Sequence, residues 1–377
     1  MSKSNFIENL LKTYHTPDGV IAGLQSLKDR GMIEVFLDLQ VFLNAMGREE
    51  ESFAVSTEML ERFPDDPRAR FNRGWHLLKR GRLQEGLAFL EYGRDLKTYG
   101  HLEPLASRFP IWNRENGRGR RVHLVLEGGF GDELIHFRFG KILKEKYDCH
   151  VNVICSPGIA TVLAREPWVS AVLQREAALG VLHDCWLPGM SSALALGLDY
   201  KDISGEPYLR PDPVRVKQWQ SFFGATRKLK IGIRWSGNPQ FEHQQLRQFN
   251  PEMLIGLSKF KDVQLFSFQR DNDLRELPET VVDLAPHLKD WEDTTAALSE
   301  MDLVISSCTS VAHMSAALGR PTWVVVPALP YFIWSLPGRT SPWYDSVKLF
   351  RQEIFGDWTA VSRLLEAELP EWIQSQK

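Results

Sequence analysis

The chain has 377 residues, 43% hydrophobic and 25% charged, with a formal net charge of −3. This is a globular balance over a length that suits two or three domains, and it excludes a global field drawing the protein to nucleic acid or an anionic membrane. The start, MSKSNFIENLLKTYH, lacks a signal peptide's apolar core, and no apolar run approaches the roughly 20 residues of a membrane span, so a cytoplasmic protein without integral membrane association is expected.

Residues 1–113 read as a helical repeat domain. Gly47 and Gly81 lie 34 residues apart, and Leu37/Phe71, Leu43/Leu77, Arg48/Arg82, Glu51/Glu85 and Phe53/Leu87 share that offset. Each glycine stands between two amphipathic stretches, as a tight turn between antiparallel helices requires. The run ERFPDDPRARFNRGWHLLKRGRLQEGLAFLEYGRDL resembles a tetratricopeptide repeat, with Gly74, Leu77, Gly81, Gly86 and Leu90 at its small and large positions. A weaker helical pair occupies residues 5–32. Stacked helical pairs present a concave face to peptides or protein partners; these helices could instead simply cap the neighbouring domain. The cluster Arg114, Arg118, Arg120 and Arg121 then reads as a solvated linker.

Two α/β segments come next, over residues 119–213 and 228–377. In the first, RVHLVLEG reads as a buried strand, GDELIHFRFGKILKEKY as a helix, VNVICS as a strand and PGIATVLARE as a helix. In the second, KIGIRWSG, VQLFSF, DLVISS and PTWVVVP read as strands, alternating with helices PEMLIGLSKF, DTTAALSEM and TSVAHMSAALG. Such alternation implies parallel sheets. The Pro-rich, then polar YLRPDPVRVKQWQSFFGATRK reads as the connection between them. Two consecutive Rossmann-like halves imply a cleft at the C-terminal edges of their strands.

Three motifs open on that cleft. Glu127-Gly-Gly-Phe-Gly-Asp132 links the first strand to its helix; Gly129 and Gly131 allow close backbone approach, and the helix N-terminus suits an anion. It is neither G-x-G-x-x-G nor a P-loop. Asp132 there either favours the helix dipole or projects as a general base. Next come Thr309, Ser310, Val311 and His313, where a strand enters a helix and hydroxyls and N–H groups could hold a diphosphate. The third motif is IGIRWSGNP, contributing Arg234, Ser236 and Asn238, with Arg247 beyond it as a clamp for a leaving diphosphate. Gln269 ends a strand at the cleft and is a candidate for nucleoside contact. The cysteines Cys149, Cys155, Cys185 and Cys308 lack C-x-x-C spacing, and there is no Asp-x-Asp or clustered ligand spacing, so no metal site is expected.

From about Val122 to Trp358 the chain resembles the heptosyltransferase-like glycosyltransferases of family 9, in the branch fused to tetratricopeptide repeats. The resemblance rests on GGFGDEL, RWSGNPQFEHQQLRQFNPEML, DWEDTTAALSEMDLVISSCTSVAHMSAALGRPTWVVVP, SPWYDSVKLFRQ and GDW, in matching order and spacing. It implies a GT-B fold with the acceptor in the first half and a nucleotide-diphosphate sugar, as co-substrate rather than bound cofactor, in the second. It implies inverting, metal-free transfer, places the catalytic base on Asp132 and places the donor-phosphate loop on Thr309, Ser310, Val311 and His313. In this chain Cys308 replaces the aspartate that usually precedes the Thr-Gly or Thr-Ser, which leaves the sugar open. A protein acceptor held by the repeats is expected; the alternatives are a glycolipid acceptor of heptosyltransferase type, or a non-catalytic sugar-nucleotide-binding scaffold.

Overall fold

The computed structural model describes residues 3–28, 30–98, 109–238, 244–270 and 277–377. Residues 99–108, near the end of the expected helical domain, and 239–243, within the expected donor loop, lie outside the described residues.

Six helices come first: α1 (Lys3–Tyr14), α2 (Pro17–Lys28), α3 (Ile33–Ala45), α4 (Glu49–Arg62), α5 (Pro67–Lys79) and α6 (Leu83–Leu90). The start of α5 shows how local sequence fixes them: Pro67 occupies the first turn, where its missing N–H is no loss, and the Asp66 carboxylate caps the Arg68 N–H. Buried Phe36, Leu39, Phe42, Leu43 and Met59 give α1–α4 a core of their own. In contrast, Leu78, Leu83, Leu87 and Leu90 of α5 and α6 pack into the core of the next segment. The helices therefore form a layer fused to the α/β part.

That part begins with β1 (Arg121–Val125), α7 (Phe130–Phe137), α8 (Phe139–Tyr147), β2 (His150–Ile154), α9 (Ala160–Leu163), β3 (Val169–Leu173), α10 (Arg175–Ala178), β4 (Cys185–Pro188) and α11 (Ser192–Ala195). Its four strands run parallel in the order β3-β2-β1-β4. Then come α12 (Pro213–Phe223), β5 (Leu229–Arg234), α13 (Gln244–Arg247), α14 (Glu252–Ile255), β6 (Val263–Ser267), β7 (Val281–Asp283), α15 (Trp291–Ser299), β8 (Leu303–Ser307), α16 (Ser310–Ala317), β9 (Thr322–Val326), β10 (Val347–Arg351) and α17 (Thr359–Ser375). The second sheet is also parallel, ordered β10-β9-β8-β5-β6-β7. Every residue of β8 and β9 is buried, as expected of central parallel strands covered on both faces.

Two expectations need correction. The stretch read as a polar connection contains α12, because Asp212 caps the Val214 and Arg215 N–H groups, Pro213 opens the first turn and Gly224 ends the helix at φ 62°. The single helix expected over 131–147 is broken at Arg138, whose guanidinium turns back onto the Ile135 carbonyl at 3.1 Å while Lys141 N–H bonds the Arg138 carbonyl at 3.2 Å. The tightened turn redirects the chain from α7 to α8.

Candidate functional site

In an open parallel sheet, ligands bind beyond the C-terminal strand ends where the strand order reverses. In the first sheet that point is β1, flanked by β2 and β4; in the second it falls between β5 and β8. The first opens onto the Gly128–Asp132 turn. The second opens onto Trp235–Asn238 and Cys308–Ser310. Helices α7 and α16 then bring the two turns together: a Cβ on Gly131 would lie 3.0 Å from His313 Cδ2 and 3.7 Å from Ser310 Cα. A side chain there would have to push the buried His313 ring aside by a few tenths of an ångström.

Asp132 lies in the first turn of α7, partly buried. The Gly129 N–H donates to its Oδ2 at 2.9 Å, and the Tyr331 side chain lies close enough to favour the charged carboxylate. Gly128 holds the bend at φ 82°, and a Cβ there would lie 2.6 Å from Asp132 Oδ2, so alanine would strain the backbone and displace the carboxylate. Burial raises the Asp132 carboxyl above its ordinary value; Tyr331, the Gly129 N–H and the Arg247 charge pull it back. The carboxylate thus caps its helix and faces the second half at once, a placement compatible with either role open from sequence.

The flanking carboxylates hold the turn. Glu133 is fully buried and accepts from the Ser156 N–H at 3.0 Å and the Ser156 hydroxyl at 2.8 Å, tying α7 to the end of β2. Glu127, 2% exposed, pairs with Arg94 and accepts the Met190 N–H at 3.2 Å.

Across the cleft, Thr309 is the residue before α16 in extended conformation, and no side chain caps that helix. Its hydroxyl lies 3.2 Å from Ser306 Oγ. Ser310 stands half-buried at the α7 contact, whereas Val311 is turned into the core. His313, 3% exposed, stacks on Trp334 with centroids 5.3 Å apart and places Nδ1 3.3 Å from the Tyr344 hydroxyl. Burial, then the charges of Arg138 and Arg247, push its pKa down to about 3, so it is neutral at physiological pH. Arg247 ends α13 and donates to the Cys308 carbonyl at 2.6 Å. Cys308 itself accepts from Trp334 Nε1 at 3.0 Å, and burial raises its thiol, which disfavours the nucleophilic thiolate.

Asp132, Gly131, Ser310, His313 and Arg247 therefore converge, with Thr309 at the base of the same turn. The β5 group is arranged differently. Arg234 is buried and donates to the Phe268 carbonyl at 2.8 Å. Gln269 is latched on Ser236, its Oε1 accepting the Ser236 N–H at 3.1 Å and its Nε2 donating to Ser236 Oγ at 2.9 Å. Asn238 is exposed. Sequence reading missed Tyr331, Arg94 and the parts played by Glu127 and Glu133; a carboxylate on each side of the Gly-rich turn was the available signal.

Among the described residues no group of three or more His, Cys, Asp or Glu side chains could hold a metal ion, and no helix is long and apolar enough to cross a membrane. All four cysteines are free and buried.

The chain matches no known family model. It is 23% identical over 368 residues to Protein FlbA of Caulobacter vibrioides, a match covering 82% of this chain and 57% of that protein, so the chain spans little more than half the length of this curated relative. Among solved structures it is similar to the Escherichia coli ADP-heptose lps heptosyltransferase II, with a TM-score of 0.50, 14% identity and coverage of 68% of this chain and 99% of that one. It is likewise similar to a family 9 glycosyl transferase from Veillonella parvula, with a TM-score of 0.52, 11% identity and coverage of 69% and 98%. The two parallel sheets thus share the GT-B-like fold of family 9 glycosyltransferases.

Proposed function

We propose that the chain is an inverting, metal-independent glycosyltransferase of heptosyltransferase type, moving a sugar from a nucleotide-diphosphate donor to an acceptor hydroxyl. The observation that carries this reading is Asp132, set on its Gly-rich turn opposite the start of α16 and Arg247. In the reaction Asp132 accepts the acceptor's hydroxyl proton, and the oxygen attacks the anomeric carbon from the face opposite the diphosphate. The bond to the diphosphate oxygen breaks, and charge builds there. The N–H groups of Thr309, Ser310 and Val311, the helix dipole, neutral His313 and Arg247 would stabilise that charge in place of a cation. Gly129 leaves room for the donor, Gly131 lets α16 approach it, and Ser236, Asn238, Arg234 and Gln269 form the nucleoside side of the site.

The structural likenesses favour a heptosyltransferase-type transfer over the protein acceptor expected from sequence. The paired helices of the N-terminal layer support a tetratricopeptide-like identity for it, with the left-handed glycine turns Gly47 (φ 72°) and Gly81 (φ 78°) at equivalent positions. The test is Asp132→Asn, which keeps shape but cannot take the proton. With a nucleotide sugar that the wild type turns over, kcat should fall at least about 100-fold while donor affinity holds. A variant that stays active and only melts earlier would show that Asp132 is a capping residue alone.

A further inference from the structure

We propose that the helical layer is a working part of the reaction centre, and that Arg94 is the positioning residue through which it sets Asp132; this rests on the reading of Asp132 as the base. Arg94 lies just after α6 in the chain, its side chain only 8% exposed, and reaches both Glu127 oxygens, at 2.8 and 3.3 Å. It also bonds Glu91 at 2.9 Å and Ser191 Oγ at 2.7 Å. Glu127 is the residue immediately before the Gly128–Asp132 bend. The entry to the bend is therefore gripped between the helical layer and the chain leaving β4.

Two further contacts point the same way. Trp75 of α5 packs on Tyr331 with centroids 6.1 Å apart, and Tyr331 in turn favours the charged form of Asp132. Leu246 of α13 is buried in the α1–α4 core, and its neighbour Arg247 lies at the cleft. The layer thus backs the base's turn, the tyrosine beside the base and the diphosphate arginine. A module that served only to recruit a partner would have no need to touch all three. A buried ion pair also tolerates loss of one member poorly, because without Arg94 the Glu127 charge at the turn's entry stands buried and uncompensated. Misplacing a reacting group by about 1 Å can cost on the order of 100-fold in rate.

The test uses the full chain carrying Arg94→Met together with Glu127→Gln, which removes both charges and leaves none buried alone; thermal melting checks that it folds. Amides of residues 128–133 should exchange with solvent at least about tenfold faster than in the wild type. Turnover should fall at least about tenfold, nucleoside-diphosphate affinity should stay within about twofold, and the acidic limb of the pH–rate profile should move. Arg94→Lys, which keeps a cation for Glu127, should recover part of the rate. A folded double variant with wild-type exchange, or with faster exchange but wild-type turnover and pH profile, overturns the proposal. If the wild type itself turns over no nucleotide sugar, the transferase reading fails, and the exchange measurement alone then decides whether Arg94 orders the turn.

Discussion

One helical turn beyond Asp132 stands His136, 1% exposed, with neither ring nitrogen hydrogen-bonded among the described residues. Burial, then the charges of Arg138 and Arg94, push its pKa from the ordinary 6.5 down to about 3. The folded protein therefore keeps this imidazole neutral, while the unfolded chain protonates it below pH 6.5. Its contribution to stability is thus fully present above pH 6.5 and is lost as the pH falls toward 3. Lowering the pH to 5 crosses about 1.5 units of that window, and at about 1.4 kcal/mol per unit the loss is about 2 kcal/mol. His136→Leu removes the titration. Leucine fills a similar volume, suits a helix and breaks no hydrogen bond, so at pH 7 it should be nearly neutral. Urea denaturation of both proteins at pH 7 and pH 5 is the assay, and the wild type should lose about 2 kcal/mol more than the variant. His76 and His313, also held near 3, are common to both and cancel in the difference. Parallel pH dependences would refute the reasoning, as would a variant that is more than about 2 kcal/mol weaker at pH 7, a loss of the size left by an unsatisfied buried partner.

Gly128→Ala should fold but lose most turnover, because its Cβ collides with the Asp132 carboxylate; wild-type kcat in that variant would contradict the geometry of the turn. Thr309→Ala with Ser310→Ala should weaken nucleoside-diphosphate binding by calorimetry, and unchanged affinity would remove α16 from the donor site. Turnover should survive excess EDTA; activity that vanishes with chelator and returns with Mg²⁺ would refute a metal-free mechanism. Because burial raises Asp132, kcat/KM should fail on the acid side at a pH above that of an ordinary carboxylate, with no step near 6.5 from His313.

The elements legible in the sequence were those whose burial leaves a run. Strands β1, β2, β5, β6, β8 and β9 are central or nearly so, and read as continuous apolar stretches. The strands left unread lie at or near sheet edges or are short. VSAVL of β3 is half-exposed along its length, β7 has three residues, and VKLFR of β10 carries two cations in five residues. Glycines where a tetratricopeptide repeat usually has alanine blurred that resemblance, and the packing explains them. A Cβ on Gly74 would lie 2.8 Å from the Gly86 carbonyl, so α5 and α6 pack more closely than alanine allows.

At the site, motif reading located the turns because glycines and helix-start hydroxyls mark a backbone requirement, which is local. What it could not reach is what each turn leans on. Tyr331 lies 199 positions beyond Asp132, and Arg94 lies 33 before Glu127 across a stretch without a motif. Both act through burial, which depends on how α5 and α6 dock against the first sheet. The same distinction separates Arg247 from Gln269. Arg247 lacked a landmark in sequence yet lies in the field of Asp132, Cys308 and His313. Gln269, at a conspicuous strand end, has both amide atoms engaged by Ser236. A polar side chain at a strand end is available to a ligand only if its neighbours leave it so, and a nucleoside contact by Gln269 therefore requires the Ser236 latch to open. Ser236→Ala frees the Gln269 Nε2, leaving the backbone N–H of residue 236 on its Oε1, without touching α16. Tighter nucleoside-diphosphate binding in that variant would mean that the latch competes with the ligand, whereas unchanged affinity would mean that Gln269 shapes the loop and the base is read elsewhere.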